Sequence, residues 1–129
     1  MTLEDSQPAD PRHAQRVHIV QQLYSYSYNP TFVIPVDSHV DHHVQAIIAH
    51  VATLDALIRT HAPKYPIEQI AKTDLAILRL ALYELTIEKH TPTKVVINEA
   101  VELAKEMGSE RAYAFVNAVL GAVVSNKDN

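Results

Sequence analysis

Histidine carries the most obvious chemical potential in this chain. There are eight; His39, His42 and His43 stand at i, i+3, i+4, and His50 follows two helical turns after His43, a spacing that can bring imidazoles onto neighbouring turns of one helix. A structural zinc site, however, draws ligands from two elements with supporting hydrogen bonds, and neither an HExxH nor a paired ExxH pattern accompanies these residues. They read as a solvated, pH-sensitive face, and no metal is expected. Arg12 and Arg16, at i, i+4, either snorkel over the core edge or offer a guanidinium fork to phosphate. Tyr24, Tyr26 and Tyr28 are candidates for base stacking, but their i, i+2, i+4 spacing spreads them around a helix, so two of the three are expected to pack at the core edge. The chain has no cysteine, which removes disulfides, thiolate zinc sites and a cysteine nucleophile. Without a nucleophile, dyad or glycine-rich phosphate loop, neither an enzyme nor a cofactor is expected.

The charge balance limits the partners. A formal net charge of −4 argues against strong, autonomous nucleic-acid binding, since affinity for phosphate comes from a basic footprint. Any such role is therefore local or shared with a partner. The 129 residues, 47% of them hydrophobic, suffice for one compact domain with a real core. Two glycines, seven prolines and no sustained alternation of apolar and polar residues point to an all-α fold. No run is long and apolar enough to span a membrane, and the first ten residues lack a basic start and an apolar stretch, so a cytoplasmic protein is expected.

These residues need elements to position them, and the chain is organised around residues 73–108. Leu75, Leu78, Leu82 and Leu85 follow one helical face, which Ile77, Leu80 and Ala81 widen into a helix buried on most sides. Glu84 falls inside that apolar arc; an unpaired buried carboxylate is costly, so it must have a cationic or backbone N–H partner. Residues 1–11 form a flexible tail, 12–125 the folded domain, and 126–129 a frayed end. Asp10-Pro11 starts a first helix that reaches about Tyr28, with Val17, Ile19, Val20, Leu23 and Tyr24 on one side. Asn29 to Pro35 breaks the helix, its Phe-Val-Ile pinning the connection to the bundle. A second helix spans roughly Ser38 to His61, and Pro66 opens a short helix containing Ile67, Gln69 and Ile70. Thr91-Pro92 restarts the chain as N-cap and first helical residue, and Gly108 stops that helix. Its outer face, with Glu99, Glu102 and Glu106, is either solvated or suited to a basic protein. Ser109 caps the last helix, which turns Phe115, Val116, Val119, Leu120 and Val123 inward and leaves Ala114, Asn117, Ala118 and Gly121 as a strip of small residues.

ILRLALYEL at 77–85, PTKVVINEAVELAKEMG at 92–108 and FVNAVLG at 115–121 together resemble the NusB family of transcription antitermination factors. RHAQRVHIVQQLYSY at 12–26 is similar to that family's first helix. The resemblance implies a fold of two small helical bundles sharing the central hydrophobic helix, and no enzymatic activity. It implies that ribosomal protein NusE pairs with the chain, that the pair binds boxA RNA of ribosomal RNA leaders, and that both act in a transcription complex with RNA polymerase and other Nus factors. By residue, it points to Arg12, His13, Arg16 and Phe115 as RNA-facing and to Tyr24 and Asp74 as partner-facing. Phe115 either stacks on a base or fills the core, Tyr24 either meets the partner or packs, and Asp74 is otherwise a helix N-terminal acid. The stretch Arg12-His13-Ala14-Gln15-Arg16 is less basic than the family's arginine cluster, and Ala118 and Gly121 stand where the family more often has Gly and Asp. A protein-interaction scaffold or homodimer with weak or lost RNA binding is the competing reading. The RNA-binding module of an rRNA methyltransferase is a third, for which this chain has no cofactor motif.

Overall fold

A helix that is apolar on nearly every side has no face to give to water, so other elements must cover all of it. In the computed structural model, which describes residues 10–31 and 39–128, this is what happens to α4 (Lys72–Tyr83), buried at every position from Asp74 to Tyr83. It packs against α1 (Pro11–Tyr28), α2 (His39–Ala49), α3 (Val51–His61), α5 (Thr93–Met107) and α6 (Ala112–Asp128). α1 lies on α4 and α2, while α5 pairs with α6 as well as α4. α3 joins the halves through contacts with both α4 and α6. Two helical bundles thus share α4, and every described element is helical. No described helix is long and apolar enough to cross a membrane.

The helix ends follow local chemistry. Asp10 caps α1 by accepting from the Arg12 N–H at 2.9 Å, with Pro11 in the first turn, as expected. Val44, Ile47, Leu54 and Ile58 are buried along one stripe, but the helix expected from Ser38 to His61 is two helices. At His50 the backbone (φ −108°, ψ 12°) leaves helical geometry. The His50 N–H bonds to the Ile47 carbonyl at 3.0 Å, and its ring Nδ1 donates to the Ala46 carbonyl at 2.9 Å. The His50 ring thus bonds a carbonyl of the helix that the backbone leaves at this residue. The short element after Pro66 is a single 3₁₀ turn, Ile67–Gln69.

Beyond Tyr83 the central helix widens into a π segment, Glu84–Glu88, closed by the Lys89 N–H on the Glu84 carbonyl at 3.0 Å. Lys89 adopts left-handed geometry (φ 61°) and ends the run without a glycine. Pro92, not Thr91, is the N-cap of α5: its carbonyl accepts from the Val95 and Val96 N–H groups, and Thr93 begins the helix. Gly108 ends α5 as expected. The last helix, α6, runs from Ala112 to Asp128. The expected tail at 1–9 and the Phe-Val-Ile connection lie outside the described residues.

Candidate nucleic-acid and partner interface

The N-terminal turns of α1 bring the basic candidates onto α4 and α5. Arg12 is exposed in the first turn. Arg16, one turn on, is buried, and it does not offer its fork to solvent. Its Nε and Nη2 donate to Glu84 Oε2 and Oε1 at 2.9 and 2.8 Å, a bidentate pair, and Nη1 reaches Glu99 Oε1 at 3.4 Å. Glu84, only 3% exposed, therefore has the cationic partner its place in the apolar arc demands. At this place the guanidinium neutralises a buried carboxylate, an arrangement whose disruption strands a charge.

His13 extends this lock. Its Nδ1 lies 3.0 Å from Glu99 Oε1 and its Nε2 lies 2.8 Å from Glu106 Oε2. Carboxylates on both ring nitrogens require the imidazolium, in which both donate. The hydrogen bond to Glu99 first, then that to Glu106, raises the His13 pKa above 6.5 against an opposing effect of burial. Because the folded-state pKa is the higher, the stabilisation is complete below the unfolded value and is lost as pH rises through the folded one. The melting temperature should therefore fall more steeply as pH rises above about 6.5 in the parent than in His13→Gln. Superimposable pH curves would show that the lock is absent in solution. The outer face of α5 thus meets basic residues of the same chain.

The other candidates lie in separate neighbourhoods. Phe115 is half-buried in the first turn of α6, its ring edge-on to Tyr65 at 4.9 Å. Tyr24, expected on the apolar side of α1, is exposed; so is Tyr28, whose ring lies 4.9 Å away with the Lys72 ammonium over it at 5.6 Å. A hydrogen bond with Tyr28 raises the Tyr24 hydroxyl pKa. Of the three tyrosines only Tyr26 is half-buried, beneath the Arg79 guanidinium. Asp74 is 5% exposed and accepts from the Ser109 N–H at 3.1 Å and the Ser109 hydroxyl at 2.6 Å. Ser109 is thus held by Asp74 rather than capping α6 with its own side chain.

The histidine face divides. His39, His42 and His50 are exposed, and His43 is half-buried, its Nε2 3.2 Å from a Glu88 carboxylate oxygen and its ring against Tyr83. Despite this approach, His43 Nε2 makes no hydrogen bond among the described residues. Among the described residues no three histidine, aspartate or glutamate side chains are placed to hold a metal.

Periodicity missed a second buried lock. Arg79 donates through Nε and Nη2 to Asp55 at 2.9 and 2.8 Å, and through Nη1 to the Ser27 hydroxyl at 3.2 Å, tying α4 to α3 and α1. Its signal was present, since a lone cation in an apolar run needs a partner for the same reason as Glu84.

The chain is an all-helical double bundle whose buried charged side chains, Arg16, Asp74, Arg79 and Glu84, are hydrogen-bonded internally. The chain belongs to the NusB family, whose model matches residues 13–125. It is 37% identical to the transcription antitermination protein NusB of Shewanella oneidensis, over 93% of this chain and 98% of that protein. It is 52% identical to the protein of the same name from Agathobacter rectalis over 82 residues, 64% of this chain and 63% of the relative. Four of the matched relatives are covered over only 52–63% of their own length. Among solved structures, the backbone is similar to a complex described as antitermination factors NusB and NusE with double-stranded RNA. The TM-score is 0.73 and the identity 22%, over 89% of this chain and 96% of that one.

Proposed function

We propose that this chain is a non-catalytic transcription antitermination factor that binds boxA-type RNA of ribosomal RNA leaders jointly with ribosomal protein NusE, in the cytoplasmic transcription complex with RNA polymerase and other Nus factors. The observation that carries this reading is the family match over residues 13–125. The similar solved complex, described as holding NusB, NusE and RNA, supports the choice of partners. A net charge of −4 makes shared RNA binding the physically reasonable route, with the basic partner supplying much of the phosphate affinity. Within this chain Arg12 is the phosphate-facing residue, Phe115 meets RNA through the exposed part of its ring, and Tyr24 belongs to the partner face. Arg16 and His13 act indirectly, by fixing the start of α1 on α5.

Gel filtration with purified NusE followed by an RNA band shift tests the reading. A complex that shifts boxA RNA far better than either protein alone is expected. Arg12→Ala should lower the slope of log affinity against log salt by about one; an unchanged slope would remove Arg12 from the RNA. The carboxylates occupying Arg16 and His13 favour one competing reading, an interaction scaffold or homodimer with lost RNA binding. A NusE complex without any RNA shift would select it.

A further inference from the structure

The start of α1 is held on α5 by a row of alternating charges that contains more acids than bases. From one end it runs Glu106, His13, Glu99, Arg16, Glu84. Glu99 Oε1 is shared, 3.0 Å from His13 Nδ1 and 3.4 Å from Arg16 Nη1, while Glu84 takes Nε and Nη2 of Arg16. α1 thus supplies both cations, α5 supplies Glu99 and Glu106, and the π segment after α4 supplies Glu84. The Asp10 carboxylate that caps α1 also acts on Arg16, and the exposed Arg12 precedes His13 in the same turn. With His13 protonated, the three carboxylates of the row face two cations; without its proton they face one. The ring is partly exposed, so the proton can leave without unfolding of the chain. A neutral imidazole has a single N–H, so its loss sets a ring lone pair against either Glu99 or Glu106 and turns one of the two contacts repulsive.

We propose that His13, Glu99 and Glu106 couple RNA binding to a proton: the imidazolium fixes the first turn of α1, and with it Arg12, and cancels a carboxylate beside the phosphate site. Loss of the proton undoes both. The two effects have the same sign, because a freed first turn misplaces Arg12 and an uncancelled carboxylate repels phosphate. By linkage, a polyanion arriving beside His13 favours the charged ring, so RNA should bind together with a proton wherever the ring is not already charged. The inference rests on the RNA-binding reading above. It makes His13 and the two glutamates positioning residues, which act on RNA through Arg12 and through the local field.

The measurement is the affinity of the complex with NusE for single-stranded boxA RNA across pH at constant salt. At about pH 6 the parent should bind roughly 3- to 10-fold more tightly than His13→Gln, the effect of one charge near a phosphate, and the two should converge as pH rises through the raised His13 pKa. His13→Arg carries its charge at every pH and should keep the tighter binding throughout. Glu106, unlike Glu99, is not shared with Arg16, so Glu106→Gln weakens the support of the imidazolium alone and should start the fall in affinity at lower pH. Taking the ratio of parent to His13→Gln cancels the other histidines of this chain and those of NusE. A ratio that stays constant across pH would leave His13 a structural residue only, overturning the proposal while the RNA-binding reading stands. A ratio that grows with pH would mean that the α5 carboxylates compete with phosphate for His13, which also overturns it. If pH changes the affinity for NusE and not the RNA step, the proton belongs to the protein contact and the proposal fails. If the parent complex binds no RNA at any pH, both readings fall together.

Discussion

Glu84→Ala is expected to cost about 3–5 kcal/mol of folding stability, the effect of removing one member of a buried ion pair. The loss comes from what remains: Arg16 keeps its charge at a buried site, with only the 3.4 Å approach to Glu99 to offset it. Replacing both members by apolar residues, Arg16→Met with Glu84→Leu, should bring stability back to the parent's or above it, since such pairs barely outweigh their desolvation. Urea unfolding is the measurement, and the midpoint should move while the slope stays constant. Added salt should change the difference little, because a buried pair is poorly screened. A Glu84→Ala loss under about 1 kcal/mol would mean that water reaches the pair. The double variant also separates two roles of Arg16. If Arg16 only orders α1, the double variant keeps the RNA affinity of the parent complex; if it touches phosphate, affinity drops while the fold is intact.

The same residue shows what was legible in the sequence. The apolar run from Leu75 to Leu85 required burial all round, and burial all round required a partner for any charge within it; Arg16 is the partner that argument demanded of Glu84. Applied to Arg79, it would have demanded Asp55 or another acid. The partner's identity was beyond the sequence, because periodicity reports which face of a helix is buried but not which distant residue lies opposite. Asp74 illustrates the limit: an acid in the first turn of a helix has a sufficient local explanation, yet its hydrogen bonds go to Ser109, 35 positions on. The break at His50 was hidden for another reason. The apolar stripe keeps its phase across it, with Ile47 and Leu54 both fully buried, and no glycine or proline marks the place. Tyr24 sits at the edge of its apolar arc, where a wheel cannot tell covered from exposed.

Gly108→Ala should destabilise the fold by about 1–3 kcal/mol through overpacking, although nothing in the backbone demands glycine there. Gly108 has φ −81° and ψ 177°, extended geometry open to any residue. Its constraint is space at the junction of three helices. An added Cβ would stand 2.7 Å from the Ala104 carbonyl oxygen, 2.9 Å from the Ala112 Cβ and 2.9 Å from Asp74 Oδ1. The Ala104 carbonyl already accepts from the Gly108 N–H at 3.0 Å, so moving it loosens the last turn of α5. Ala112 is buried at the start of α6, and Asp74 Oδ1 accepts from the Ser109 N–H. Whichever neighbour yields, α5, α6 or the start of α4 must shift. Because the methyl and the carboxylate compete for one space, Asp74→Ala should cost less in the Gly108→Ala background than in the parent, a non-additivity that independent sites do not show. Chemical denaturation of the parent, both single variants and the double variant measures it. A Gly108→Ala loss within about 0.5 kcal/mol of the parent, or strictly additive losses, would mean that the junction opens at little cost. In that case the three helix ends are held by their apolar faces, and the close approach at Gly108 contributes nothing to their arrangement.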